Sequence, residues 1–143
     1  MRIEAATEAT PELEQALGRL LPQLNTTLPI PDMQRLDAIM ADPAVTLLVA
    51  REENDIIGTA TVIVYTTPFW IKARLDEVVV DASARGKGVG EALVHACLDV
   101  ARARGAQVAE LQSGRGAARD VANRLYRRMG FQLRDSNLYR ISL

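Results

Sequence analysis

Three glycines, Gly86, Gly88 and Gly90, form the part of the sequence that most clearly suggests chemistry. They follow a β-branched run that ends at residue 80, and they open a segment whose apolar residues recur at helical spacing. A backbone without Cβ atoms can bend sharply. It can then bring its N–H groups, with the positive end of a helix dipole, against an anion. The stretch therefore predicts a phosphate cradle between a strand and a helix.

Two well-known nucleotide-binding motifs do not match this loop. A Walker loop needs four residues between its first glycine and a Gly-Lys pair, then Ser or Thr, whereas Gly88 is followed here by Val89. The dinucleotide fingerprint G-x-G-x-x-G is also missed, because residues 86–90 spell G-x-G-x-G. What remains is a loop of the form Arg85-x-x-Gly88-x-Gly90 after a valine-rich strand.

The elements that position this loop follow from apolar periodicity and turn residues. A helix begins at Val89 and stops at Gly105. The other predicted elements are a strand (2–6), helices (11–21, 32–41), strands (45–51, 56–65) joined by a turn (52–55), strands (72–81, 107–111), a helix (117–129) and a closing hairpin (131–133, 137–143). This order indicates one α/β (α+β) domain over residues 1–143.

Length and composition narrow the classes of function. At 143 residues the chain can bury a sizeable core without disulfides. Its start has no apolar signal core and no apolar run reaches about 18 residues, so we expect a cytoplasmic protein without a membrane span. The sole cysteine, Cys97, lies on an apolar helix stripe, which predicts a buried and inert thiol. The single His95 is expected on a solvated helix face, and no metal cluster is expected.

Charge is unevenly distributed along the chain. Residues 1–84 hold 6 basic and 13 acidic side chains, whereas residues 85–143 hold 11 basic and 5 acidic ones. The basic excess suits a polyanionic cofactor and the acidic excess suits a cationic amine, although a dipolar surface without function explains the pattern equally well. The basic residues lack interleaved aromatics, so nucleic acid is not expected as a partner.

Two segments carry a family resemblance: Arg85-x-x-Gly88-x-Gly90, and residues 122–131 with the sequence ANRLYRRMGF. The first resembles the acyl-CoA pyrophosphate loop, R/Q-x-x-G-x-G/A, of the GNAT superfamily of N-acetyltransferases. The second is similar to the A-x-x-[LF]-Y-x-x-x-G-F segment that lies about 35 residues downstream in that family. The resemblance implies a GNAT fold, with a mixed central sheet of six to seven strands flanked by about four helices.

The resemblance also implies an acetyl-CoA site built largely from backbone groups. The loop amides hold the pyrophosphate, the side chain of Arg85 or Lys87 adds charge, and the preceding strand pairs with the pantetheine arm. Arg119 stands where the family often has asparagine. The cofactor-binding residues implied in this way are Val78, Val79, Val80, Arg85, Gly86, Lys87, Gly88, Val89, Gly90, Glu91, Arg119, Asn123 and Tyr126.

Two catalytic side chains follow from the resemblance. Tyr126 is implied as the general acid for the departing thiolate, with an aromatic packed at the core edge as the alternative. A strand carboxylate is implied as the base: Glu77 is favoured, and Asp76 or a water chain remains open. Adjacent strand residues face opposite ways, so at most one carboxylate should point into the cleft, and a bulge would make this parity unreliable.

The function expected is transfer of an acetyl group from acetyl-CoA to a primary amine by direct attack on the thioester. The alternative is a non-catalytic acyl-CoA-binding sensor or interaction module. The acceptor is open between a small molecule and a protein amine. Tyr65, Phe69 and Trp70 flank a loop that could contact the acceptor, pack internally or form a homodimer contact, and the C-terminal strands offer a second dimer surface.

Overall fold

A computed structural model describes residues 1–143. The strands are β1 (Arg2–Ala5), β2 (Val45–Glu52), β3 (Asp55–Thr66), β4 (Ile71–Val80) and β5 (Val108–Leu111). The α-helices are α1 (Pro11–Leu20), α2 (Met33–Ala41), α3 (Val89–Ala103) and α4 (Asp120–Arg128). Residues 1–112 and residues 113–143 form two compact units, and the single domain over residues 1–143 stays a prediction.

All five strands belong to one sheet, in the order β1-β2-β3-β4-β5. Strands β1 to β4 are antiparallel neighbours, and β5 is parallel to β4 because the chain reaches it through α3. The β2–β3 hairpin turns through Glu53 and Asn54, and Glu53 has a φ of 57°. A positive φ at the first central residue alone is typical of a type II′ turn, so the turn predicted at residues 52–55 is confirmed.

The first two helices each begin directly after a residue whose side chain caps the helix. Thr10 Oγ1 accepts a hydrogen bond from the Leu13 N–H at 3.1 Å, and Pro11 is the first residue of α1. Asp32 Oδ1 accepts from the Arg35 N–H at 2.8 Å at the start of α2. Each side chain satisfies a backbone donor that has no partner inside its helix.

Apolar layers cover both faces of the sheet. One layer joins α1 and α2 to the sheet through Leu13, Ala16, Leu17, Leu20, Leu36, Leu47, Val49, Ile56 and Val79. On the other face, α3 lies close to β3. A Cβ on Gly58 would be only 3.1 Å from Leu93 Cδ1 and 3.4 Å from Val89 Cγ1. Glycine at this position therefore allows α3 to approach the sheet directly beside the loop that precedes it.

Helix α3 also contains the only cysteine. Cys97 is fully buried, and burial raises the pKa of its thiol to about 12. A thiolate is strongly disfavoured there, which confirms the inert thiol predicted from the apolar stripe. Neither α3 nor any other helix is long and apolar enough to cross a membrane.

Residues 113–143 contain α4 and no strand. Residues Ala117–Arg119 form a 3-10 turn before α4, and Gly130, with a φ of 97°, follows its end as predicted. The closing hairpin predicted at residues 131–133 and 137–143 is wrong. Alternating apolar residues are not enough to form one, because an isolated two-stranded hairpin is only marginally stable without a sheet to pack on. The α/β fold with four helices is confirmed, but the sheet has five strands rather than six or seven.

Candidate active site

Strand β4 loses its neighbour on one side halfway along its length. Its parallel pairing with β5 runs from Lys72↔Val108 to Leu75↔Leu111, where β5 ends. Beyond that point, residues 76–80 continue beside β3 without a strand on the β5 side. An unpaired strand edge offers N–H and C=O groups with which an extended ligand can pair.

A β-bulge lies in this stretch of β4. Between the pairs Thr59↔Val79 and Thr61↔Asp76, β4 contains one residue more than β3. Glu77, inside the bulge, has a φ of 50°. This value is in the left-handed region, which residues other than glycine seldom adopt. Strain of this kind tends to occur at functional sites, because the surrounding structure must hold it in place.

The bulge reverses the faces that the following residues occupy. Leu75 pairs with Val62, which by alternation shares the α3 face with Gly58. Val79 instead packs in the apolar layer of α1 and α2. In a regular strand Leu75 and Val79, four residues apart, would share a face. The bulge is therefore the reason that simple alternation could not assign the two carboxylates between them.

Asp76 and Glu77 differ in their partners. Arg74 Nε donates to the carboxylate oxygens of Asp76 at 3.2 and 3.1 Å. Glu77 has no hydrogen bond or ion pair and remains accessible to solvent. Burial of part of the carboxyl raises the pKa of Glu77, the charge of Asp76 adds to this effect, and Arg74 opposes it. A carboxylate with a raised pKa and no fixed partner is the better proton acceptor of the two.

The glycine loop follows β4 directly. The chain passes through a 3-10 turn, Ala82–Ala84, and then through Gly86 and Gly88, with φ values of 79° and 80°. Gly88 is the N-cap of α3, and no side chain caps this helix end. A Cβ added to either glycine meets no atom within 4 Å, so the space in front of the loop is open. Open space beside a helix N-terminus without a side-chain cap fits the phosphate groups that the sequence predicted.

The charged side chains of the loop have different surroundings. Arg85 folds back on the strand: its Nε donates to the Val80 carbonyl oxygen at 3.1 Å. Lys87 is exposed and makes no hydrogen bond or ion pair, so its charge is available to an anion. Glu91 Oε1 lies 3.8 Å from Nε2 of His95, which is exposed as predicted.

This arrangement lies within a segment that matches a known family. The sequence model of the Acetyltransferase (GNAT) family matches residues 11–131. The chain belongs to the GNAT family. The resemblance carried by residues 85–90 and 122–131 is thereby confirmed.

One relative and two solved structures, each described as an acetyltransferase, are similar to this chain over 90% or more of its length. An IAA acetyltransferase of Azospirillum brasilense is 30% identical over 128 residues, which are 90% of this chain and 77% of the relative. A putative acetyltransferase from Agrobacterium tumefaciens str. C58 has a TM-score of 0.84 at 23% identity, with 100% of both chains covered. An aminoglycoside acetyltransferase from an uncultured soil metagenomic sample, solved with sisomicin, has a TM-score of 0.82 at 20% identity and covers 99% of this chain and 95% of its own. Both structures have the same fold as this chain.

In this GNAT chain, Arg119 and Asn123, two of the residues predicted to bind the cofactor, lie close to Gly114 within residues 113–143. Asn123 Nδ2 donates to the Gly114 carbonyl oxygen at 3.1 Å. Arg119 lies in the 3-10 turn before α4, and its Cγ would be 3.2 Å from a Cβ on Gly114. Asn123 thus hydrogen-bonds residue 114, the Arg119 side chain lies beside it, and the role of both residues toward a cofactor stays a prediction.

Tyr126 lies on α4, and the end of the same motif packs against it. Its ring meets that of Phe131 edge to face, with 5.9 Å between centroids. The Phe131 N–H donates to the Tyr126 carbonyl oxygen at 3.0 Å, and Gly130 supplies the left-handed conformation between them. The Gly-Phe pair therefore closes the helix and restrains the tyrosine ring.

The strand carboxylates, the three valines and the glycine loop follow one another along the chain, from the second half of β4 to the start of α3. Arg119, Asn123 and Tyr126 lie in the unit of residues 113–143. Of the residues considered for acceptor contact, Phe69 is 89% exposed, and its role stays a prediction.

Sequence reasoning missed three polar residues that contact this run of chain. Arg74 pairs with Asp76, and Arg19 and Gln23 contact the chain between β4 and the glycine loop. No motif marks them, because an arginine on a strand or polar residues near a helix end are common on any surface. Only the folded chain shows what they touch.

Proposed function

We propose that the protein is an N-acetyltransferase that transfers an acetyl group from acetyl-CoA to a primary amine, by direct attack of the amine on the thioester. The observation that carries the proposal is the unpaired edge of β4, which leads through the bulge at Glu77 into the glycine loop and the N-terminus of α3. One run of chain thus supplies backbone pairing groups, a carboxylate and an anion site. Membership of the GNAT family supports acyl transfer as the reaction class.

The residues of this run fit acetyl-CoA. The amides of residues 85–91 would bind the pyrophosphate in the open space in front of Gly88, and Lys87 would add a positive charge. The backbone of Val78, Val79 and Val80 would hydrogen-bond the pantetheine arm as an added strand lies along a sheet edge. When bound, acetyl-CoA supplies an acetyl group that is activated as a thioester.

Glu77 and Tyr126 are the residues we propose to move protons. The Glu77 carboxylate accepts a proton from the acceptor amine, directly or through water, so that the nitrogen lone pair is free to attack. Partial burial raises the pKa of the Glu77 carboxyl, the neighbouring charge of Asp76 adds to this effect, and Arg74, which pairs with Asp76, opposes it. The Tyr126 hydroxyl donates a proton to the departing sulfur.

The test of this function is calorimetry of acetyl-CoA binding, beside free CoA and ATP, followed by an assay of thiol release with a panel of amines. We expect binding in the micromolar range that requires the pantetheine arm, and thiol release with at least one amine. Absence of acetyl-CoA binding would overturn the proposal. A non-catalytic sensor would instead bind acetyl-CoA and release no thiol above background hydrolysis.

The amine panel is chosen from the relatives and the charge pattern. The acidic excess of residues 1–84 favours a cationic acceptor. An aminoglycoside such as sisomicin belongs in the panel, because one structural neighbour was solved in complex with it. A peptide with a lysine side chain and a free N-terminus covers protein acceptors. A homodimer through Phe69 or the exposed C-terminal residues stays a prediction.

Replacing the proposed acid tests the second motif. We expect Tyr126→Phe to lower kcat about tenfold, because a thiolate is a good leaving group that only partly depends on a proton donor. Binding of acetyl-CoA should be unchanged, since the ring and its edge-to-face contact with Phe131 remain. Tyr139→Phe, at an 88% exposed position, is the matched control. Equal kcat values for the two variants would remove Tyr126 from the mechanism.

The raised pKa of Glu77 predicts a pH dependence. A base acts when it is deprotonated, so kcat/KM should fall as pH decreases through the Glu77 pKa, at a higher pH than an ordinary glutamate would give. Ionisation of the acceptor amine adds its own limb to the profile in every variant. Glu77→Gln should remove the limb that belongs to the carboxylate and leave the other. An identical acidic limb in both pH–rate profiles would contradict the assignment.

A further inference from the structure

One side chain connects the end of α1 to the start of the cofactor loop. Gln23 lies in the 3-10 turn Leu21–Gln23 that follows α1. Its Oε1 accepts a hydrogen bond from the Ala82 N–H at 2.9 Å, and the Arg85 Nη2 lies 3.5 Å from the same oxygen. Its Nε2 donates to the Arg19 carbonyl oxygen at 3.2 Å and lies 3.4 Å from Asp81 Oδ2. The amide therefore contacts both its own helix end and three residues between β4 and Gly86.

Asp81, between β4 and the glycine loop, contacts both its own turn and the end of α1. Its Oδ1 accepts from the Ser83 N–H at 3.0 Å and from the Ser83 hydroxyl at 2.8 Å, which holds the 3-10 turn. Its Oδ2 lies 3.4 Å from Arg19 Nε. Arg19 Nη2 in turn donates to the Ile56 carbonyl oxygen on β3. The turn that leads into the glycine loop is thus fixed from the α1 side as well as from its own residues.

We propose that Gln23 is a positioning residue of the acetyl-CoA loop, which sets the direction in which the chain leaves β4 and enters residues 85–91. The inference rests on the proposed function for its ligand. That the Gln23 side chain orders the loop does not depend on which ligand the loop binds. Gln23 itself is assigned no contact with the cofactor.

The amide is suited to this task because it donates and accepts at once. The oxygen pairs with the Ala82 N–H, and the NH₂ group faces the Arg19 carbonyl and the Asp81 carboxylate. Methionine has nearly the same length and shape, but its sulfur accepts hydrogen bonds only weakly and its side chain has no hydrogen-bond donor. Gln23→Met therefore removes the hydrogen bonds while it keeps most of the packing volume. Gln15→Met, at an exposed glutamine of α1 without a hydrogen bond, is the matched control.

The experiment measures loop order and cofactor binding in the same three proteins. Hydrogen exchange of a peptide that covers residues 81–90 should become faster in Gln23→Met than in the wild type and in Gln15→Met. The Kd and KM for acetyl-CoA should rise about tenfold, which is the effect of losing the one hydrogen bond that Gln23 makes to the loop backbone, at the Ala82 N–H. The KM for the acceptor amine should change little and the Tm should fall by only a few degrees, which a general loss of structure would not produce.

The two proposals fail in different ways. If wild type binds no acetyl-CoA, the proposed function fails, and the exchange measurement alone decides whether Gln23 orders the loop. If wild type binds and Gln23→Met matches Gln15→Met in exchange rate and Kd, the positioning role is overturned while the function stands. Faster exchange in Gln23→Met without a change in Kd would also overturn it, because the loop order would then not matter to the cofactor.

Discussion

Gly88→Glu should weaken acetyl-CoA binding by on the order of 100-fold or more while the protein stays folded. Gly88 is the N-cap of α3, and a Cβ at this position enters open space rather than protein. A glutamate there places its bulk and negative charge where the pyrophosphate is proposed to bind. Each charge-assisted hydrogen bond that is lost is worth roughly 1.5–3 kcal/mol, and two such losses give an effect of this size. Calorimetry with acetyl-CoA measures it.

The control for this variant lies at the other end of the same helix. Gly105 has a φ of 81°, nearly that of Gly88, and a Cβ on it also meets no atom within 4 Å. Gly105→Glu therefore imposes the same backbone strain, about 1–2 kcal/mol, and the same charge at a distance from the loop. We expect a somewhat larger loss in Tm for Gly105→Glu, because a carboxylate is favourable at the N-terminal end of a helix dipole and unfavourable at its C-terminal end, and a loss of binding only in Gly88→Glu. Retained affinity in Gly88→Glu would refute the loop assignment.

Glu77→Gly should lower kcat by roughly 100-fold and at the same time stabilise the protein. The loss of rate is the size expected when a positioned base is removed. The gain in stability, about 1 kcal/mol, follows because glycine accepts the φ of 50° that strains a glutamate. Steady-state kinetics with the best amine of the panel and thermal unfolding measure the two effects. Few substitutions in a protein are expected to combine them.

Glu53→Gly separates the strain from the chemistry. Glu53 has a φ of 57° in the exposed β2–β3 turn, far along the chain from the bulge. Its replacement should raise the free energy of unfolding by about the same amount and leave kcat unchanged. Glu77→Gln, which keeps the strain and loses the base, should show the rate loss without the gain in stability. If Glu77→Gly keeps full activity, the base is Asp76 or a water chain.

The glycine loop and the element order could be predicted from sequence because they rest on local properties. A β-branched run, three glycines and an apolar stripe of period 3.6 act over a few residues, and Thr10, Asp32 and Gly130 cap their helices through neighbours in the chain. Family resemblance then joined the loop to the segment around Tyr126. None of this requires knowledge of contacts between distant residues.

The tertiary structure alone decided the features that make one carboxylate different from the other. The bulge at Glu77 depends on how β4 pairs with β3, and the free edge of residues 76–80 depends on where β5 ends. The contacts of Gln23 join positions about sixty residues apart. The prediction of a closing hairpin was wrong for the same reason, because a strand needs a neighbouring strand to pair with as well as alternating apolar residues. Local periodicity specifies an element, whereas hydrogen-bond register, burial and long-range polar contacts exist only once the elements have packed.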